Sequence, residues 1–166
     1  DYSSLIIHQI YSEVGLNYFE ENTYSNDPYL LRGVPDTERK VNKAIIQIAL
    51  NCSDFEGLNT ALLRQYKKGK LTGTKPRKKE VEKRLNIFRE MNPKISSFIY
   101  SRCALRFQFQ DSEIARKIIN RCSMYLIPLL SVHDSFIVEE TNKNFIIDTM
   151  NSAIKDTRLT SMPLIK

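Results

Sequence analysis

Two apolar runs, Leu126-Ile127-Pro128-Leu129-Leu130-Ser131-Val132 and Phe136-Ile137-Val138, flank the polar triplet His133-Asp134-Ser135. They read as a hairpin over 126–132 and 135–139, with His133 and Asp134 at its turn. A carboxylate at the crest of such a run is costly unless it meets a cation or a hydrogen-bonded turn. That cost is tolerated mostly where the charge is used, so Asp134 is a candidate functional residue. Local hydrogen bonding in a turn is the other use an aspartate finds there.

The rest of the chain carries helical periodicity. Apolar residues at 5, 6, 7, 10, 11, 14 and 16 predict a helix over 5–18, followed by a loop at 22–35 with Asn26-Asp27-Pro28 and Gly33 as breakers. Further helices are expected over 37–51, 53–66, 77–91, 94–107, 111–124 and 141–155. Ser53-Asp54-Phe55-Glu56 opens the second of these as a capping box. Ile114, Ala115, Ile118, Ile119 and Cys122 share one face of the helix over 111–124. The tail 161–165 reads as a short edge strand. The fold class is therefore α+β, helix-rich with a small antiparallel sheet.

At 166 residues the chain is one domain, or one domain with a substantial insertion. Its net charge of +6 is unevenly placed, because residues 64–84 hold ten basic side chains against Glu80 and Glu82. Outside that segment the chain is close to neutral. Such a patch, with Lys67, Lys68, Lys70, Arg77, Lys78 and Lys79 at its centre, favours polyanions through phosphate contact and counterion release. A solvated helix–loop–helix connection is the other reading of the same charges. The cysteines at 52, 103 and 122 lack metal-binding spacing, and an odd count without a signal peptide points to reduced thiols in a cytoplasm. No apolar run approaches a membrane span.

Within 37–51, Arg39, Lys43, Gln47 and Asn51 recur every four residues along one polar stripe. Val41, Ile45, Ile48 and Cys52 fall on the opposite side, facing a core. Two cations followed by two amides suit a triphosphate and then a base or sugar. At the other end, Asp1-Tyr2-Ser3-Ser4-Leu5 supplies a second carboxylate ahead of a helix.

In this order the residues resemble the polymerase domain of the family A DNA polymerases, with a fainter likeness to single-subunit phage-type RNA polymerases. Asp1-Tyr2-Ser3-Ser4-Leu5 is similar to motif A, Arg39…Lys43…Gln47…Asn51 to motif B, and Val132-His133-Asp134-Ser135 to motif C. Gln110-Asp111-Ser112 through Ile114-Ala115 resembles the glutamine-led helix that touches primer–template. The resemblance spans nearly the whole chain.

It implies a polymerase palm with reduced fingers: palm over 1–35, fingers over 36–92, palm again over 93–166. It implies a template-directed nucleotidyltransferase working on DNA primer–template and nucleoside triphosphates, of phage or mobile-element character and used in DNA replication. Asp1, Asp134 and the carbonyl of Tyr2 would hold two Mg²⁺ ions, with Mn²⁺ as a substitute. Arg39 and Lys43 would hold the phosphates, and Lys43 would donate a proton to pyrophosphate. Gln47 and Asn51 would lie against the incoming nucleotide and template base, and His133 would help place the primer terminus.

The chain departs from the family at several of these positions. Gln47 and Asn51 stand where motif B usually carries aromatic residues, Cys52 where glycine often follows, and Ser135 where motif C usually ends in glutamate. Ile6 replaces the glutamate that usually excludes ribonucleotides, and its branched side chain is the candidate for crowding a 2′-hydroxyl. The separations are short, 38 residues from Asp1 to Arg39 and 91 from Lys43 to Asp134. A motif A aspartate ends a strand, which here would precede residue 1, with the thumb further upstream. The chain is thus expected to be the C-terminal palm-and-fingers fragment of a longer protein, weak or inactive alone. The alternative is a polymerase-derived module that binds nucleic acid through residues 64–84 without catalysis.

Overall fold

In the computed structural model, residues 4–132, 135–157, 159–160 and 162–165 are described. The expected edge strand over 161–165 falls partly outside them. Among the described residues, helices make up 63% and the sheet is one antiparallel pair, so the fold is helix-rich α+β. Two compact units are present, one built from residues 1–18 and 106–166 and the other from 19–105.

The continuous unit is helical. After α1 (Leu5–Glu13), α2 (Tyr18–Glu21) and the loop over 22–35, a 3-10 turn Asp36–Glu38 leads into α3 (Arg39–Asn51), followed by α4 (Phe55–Lys67) and α5 (Lys78–Met91). Helix α3 packs against both α4 and α5. Its buried side is Asn42, Ile45, Ile46, Ala49 and Leu50. That is rotated from the expected Val41–Ile45–Ile48–Cys52 face; Val41, Ile48 and Cys52 are only half-buried. Two helices contact α3 from different directions, so its apolar arc follows both neighbours.

Asp54, not Ser53, caps α4, its carboxylate accepting from the Gly57 amide at 2.7 Å. This corrects the expected capping box by one residue and holds the Asp54 carboxyl below the usual carboxylate range. Leu58 and Leu62 of α4 and Val81, Leu85 and Phe88 of α5 are buried.

The sequence reading divides the chain at 35/36 and 92/93, whereas the compact units meet at 18/19 and 105/106. Packing explains the shift. Tyr29 and Leu31 of the loop are buried, and Asn42 of α3 donates to the Tyr29 carbonyl at 3.1 Å. At the other boundary the Tyr100 amide donates to the Ala49 carbonyl at 2.8 Å.

That second tie also overturns the helix expected over 94–107. A 3-10 stretch, Pro93–Phe98, is followed by Tyr100 and Arg102 at φ of 67° and 58°. Left-handed residues cannot continue a helix. The two helices expected over 94–107 and 111–124 are replaced by one, α6 (Ala104–Met124).

In the other unit, α1 covers only Leu5–Glu13, not 5–18. Gly15 adopts φ +74°; its amide reaches the Ser12 carbonyl and the Leu16 amide reaches that of Tyr11. That pair of bonds terminates a helix, and glycine enters the left-handed conformation without a Cβ penalty. The short α2 (Tyr18–Glu21) comes next in the chain, its last three residues belonging to the continuous unit. Leu5, Ile114, Ile118, Cys122, Ile146, Met150, Ala153 and Ile154 form the core beneath the hairpin. Helix α7 (Lys143–Lys155) supplies half of it.

The hairpin is β1 (Leu130–Val132) and β2 (Ser135–Ile137), pairing Leu130 with Ile137, Ser131 with Phe136 and Val132 with Ser135. It is shorter than expected because α6 ends in a left-handed Leu126, and Pro128 has no N–H for a ladder. Leu129, Phe136 and Val138 pack on the core, while Leu130, Val132 and Ile137 stay exposed. Among the described residues of the tail, only Ile165 makes an isolated bridge.

Candidate phosphate-binding helix and basic surface

On α3, Arg39 and Lys43 stand one turn apart and both lie over the Tyr29 ring. The Arg39 Cζ is 5.6 Å and the Lys43 Nζ 5.8 Å from the ring centroid. Both cations are half-exposed. Two like charges at i and i+4 repel, and the electron-rich ring face offsets part of that repulsion. Arg39 Nε also donates to Asp27 Oδ2.

The lower half of the stripe is arranged differently. Asn51 Nδ2 donates to the Gln47 carbonyl at 3.0 Å, so this amide turns back on its own helix. Gln47 is half-buried and Asn51 exposed.

Behind the stripe lies a polar network that the sequence reading missed. Arg84, whose side chain is 8% exposed, donates Nη1 to Asn42 Oδ1 at 3.0 Å and to Glu38 Oε2 at 3.1 Å, and Nε to Glu80 Oε1 at 3.1 Å. Asn42 in turn holds the Tyr29 carbonyl. Counted by sequence among the surface charges of 64–84, Arg84 is instead an interior tie. Only its i,i+4 spacing to Glu80 signalled a partner.

The remaining basic residues behave as expected of a surface. Arg64, Lys67, Lys68, Lys70, Arg77, Lys78, Lys79 and Lys83 are exposed. Lys78 pairs with Glu56 at 2.7 Å across two exposed side chains, a contact of small net worth. Arg64 and Lys67 suit the negative end of α4. Arg77, Lys78 and Lys79 instead crowd the positive end of α5, against the helix dipole, at about 0.3–1 kcal/mol each. Buried Leu71 anchors the intervening loop.

In the other unit, Gln110 is half-buried on α6 and lines a cleft of about 140 Å³ with Gln9, Phe109, Glu113, Ile114, Thr157 and Leu159. Gln9 is buried and donates to the Phe107 carbonyl at 3.3 Å. A wider, open cleft follows the face of Gln108, Asp111, Ser112, Ala115 and Ile119. Ile6 is half-buried on α1, between buried Leu5 and Ile7.

The expected metal ligands Asp1, Tyr2 and Asp134, and His133 beside them, lie outside the described residues. Among the described residues no group of three or more His, Cys, Asp and Glu could hold a metal ion, and no helix is long and apolar enough to cross a membrane. Comparison with protein-family models, curated proteins and solved structures returns no match.

Proposed function

We propose that this chain is the palm-and-fingers core of a template-directed nucleotidyltransferase of the family A DNA polymerase type. The observation that carries the reading is the pairing of Arg39 and Lys43 over Tyr29 on α3. A guanidinium and an ammonium one turn apart, half-exposed and braced by a ring, suit a polyphosphate. In this reading α3 grips the triphosphate, Lys43 hands a proton to departing pyrophosphate, and Gln110 meets primer–template. Asp1, Asp134 and the Tyr2 carbonyl are all hard oxygen donors, the set that Mg²⁺ takes. Two ions bound there would supply activation of a primer hydroxyl and neutralisation of pyrophosphate. The three cysteines are free thiols, which fits a reducing cytoplasm.

Primer extension by the longest natural form of the protein, with dNTPs and rNTPs compared, tests this. Synthesis that disappears with Asp134→Ala supports the reading. Synthesis unchanged by Asp134→Ala refutes it.

The second reading, a polymerase-derived module that binds nucleic acid without catalysis, draws on the Asn51 amide, which is spent on its own helix. Both readings use the basic surface. Arg77→Glu with Lys79→Glu should lower the slope of log affinity against log salt by about two for duplex DNA, near one per lost phosphate contact. The same change places acids at the α5 N-terminus, where they stabilise, so lost binding will not come from unfolding. An unchanged salt slope would remove this surface from both readings.

A further inference from the structure

We propose that Asp27 is a positioning residue that sets Arg39 for bidentate capture of a polyphosphate; this rests on the reading of Arg39 and Lys43 as phosphate-binding.

The geometry divides Asp27 between two tasks. Its Oδ1 accepts the Tyr29 amide at 3.0 Å, closing a turn, while its own amide donates to Ser25 Oγ at 3.0 Å. Its Oδ2 accepts Arg39 Nε. The Asp27 side chain is 20% exposed and that of Arg39 36%. Nε is the guanidinium nitrogen that faces back along the side chain. Holding it there leaves the Nη1 and Nη2 fork for an incoming anion, the geometry that carboxylates and phosphates accept in two parallel bonds.

The turn that places Asp27 also places Tyr29, whose ring backs both cations, and the Tyr29 carbonyl is pinned by Asn42. One short loop therefore fixes the plane of Arg39 and the reach of Lys43. An unrestrained arginine would lose much of its rotamer freedom on binding, a cost that prior restraint removes. The opposing effect is repulsion between the Asp27 carboxylate and the bound anion. Both of its oxygens already accept N–H donors, which damp that field, so restraint prevails.

Asparagine at 27 separates the tasks. Its single carbonyl oxygen keeps the turn with Tyr29, and asparagine is favoured in such turns. Its NH₂ then faces Arg39 Nε and cannot accept from it. Binding of inorganic tripolyphosphate to the full chain, measured by calorimetry at low salt without metal, is the readout. Asp27→Asn should weaken binding about tenfold, the worth of one charge-assisted hydrogen bond. In an Arg39→Ala background the same change should have no further effect.

Wild-type or tighter binding by Asp27→Asn overturns the proposal, the first by limiting Asp27 to loop shape and the second by making it a competitor of the anion. An equal loss in the Arg39→Ala background overturns it too. Arg39→Ala and Lys43→Ala that bind as the wild type instead refute the underlying phosphate reading. Weakening by those two variants without weakening by Asp27→Asn refutes only the role of Asp27.

Discussion

Removing both carboxylates that face Arg84, as Glu38→Ala with Glu80→Ala, should destabilise the protein by about 3–5 kcal/mol, the range for leaving a buried charge unpaired. Arg84→Met should cost only about 1–3 kcal/mol, the range for one orphaned buried acceptor. The asymmetry follows from exposure. The Arg84 side chain is 8% exposed and each glutamate 41%. Lost glutamates leave a guanidinium that water cannot reach. A lost guanidinium leaves two glutamates already half in water, and only the Asn42 Oδ1 stranded. Methionine also fills the vacated volume. Urea denaturation followed by circular dichroism measures both variants. A larger loss for Arg84→Met would show that the guanidinium, and not the carboxylates, carries the net stabilisation.

Acid should destabilise the unit that contains His8. This side chain is 1% exposed and meets Tyr18 edge-on at 5.3 Å. Burial lowers its pKa from 6.5 to about 4. The folded state therefore holds His8 neutral at pH values where the unfolded chain binds a proton. His8 imposes no penalty above pH 6.5; stability falls as pH drops from 6.5 to about 4 and levels off below. The full difference is about 3 kcal/mol. Denaturation midpoints between pH 7 and pH 4 should thus fall more steeply for the wild type than for His8→Leu. Parallel profiles for the two proteins would show that His8 is not the acid-sensitive group.

The predicted helices over 37–51, 53–66, 77–91 and 141–155 match α3, α4, α5 and α7 closely, because each is strongly periodic and its ends carry local signals. The stripe of Arg39, Lys43, Gln47 and Asn51 was legible for the same reason. The stop at Gly15 was written in the chain as well, but apolar Val14 and Leu16 on either side carried the helical pattern across it. The break at 99–103 was not legible. Tyr100 and Arg102 have no local reason to be left-handed; the bond from Tyr100 to Ala49 spans half the unit. Tyr29 was hidden in a loop, since no sequence period relates it to cations on a later helix.

The sequence by itself determined the helical bulk, the hairpin, the four-residue rhythm of α3 and the excess of cations between 64 and 84. Those are properties of neighbouring residues, set by periodicity and composition. Tertiary structure decided which of those cations are buried, which are paired and which are left exposed. Arg84 is drawn inside by Glu38 and Asn42, 46 and 42 residues away. Lys78 is paired with Glu56, 22 residues away, and Arg39 is oriented by Asp27, 12 residues away. Charge is fixed by residue type, but burial and ion pairing depend on partners that only the folded chain brings within reach.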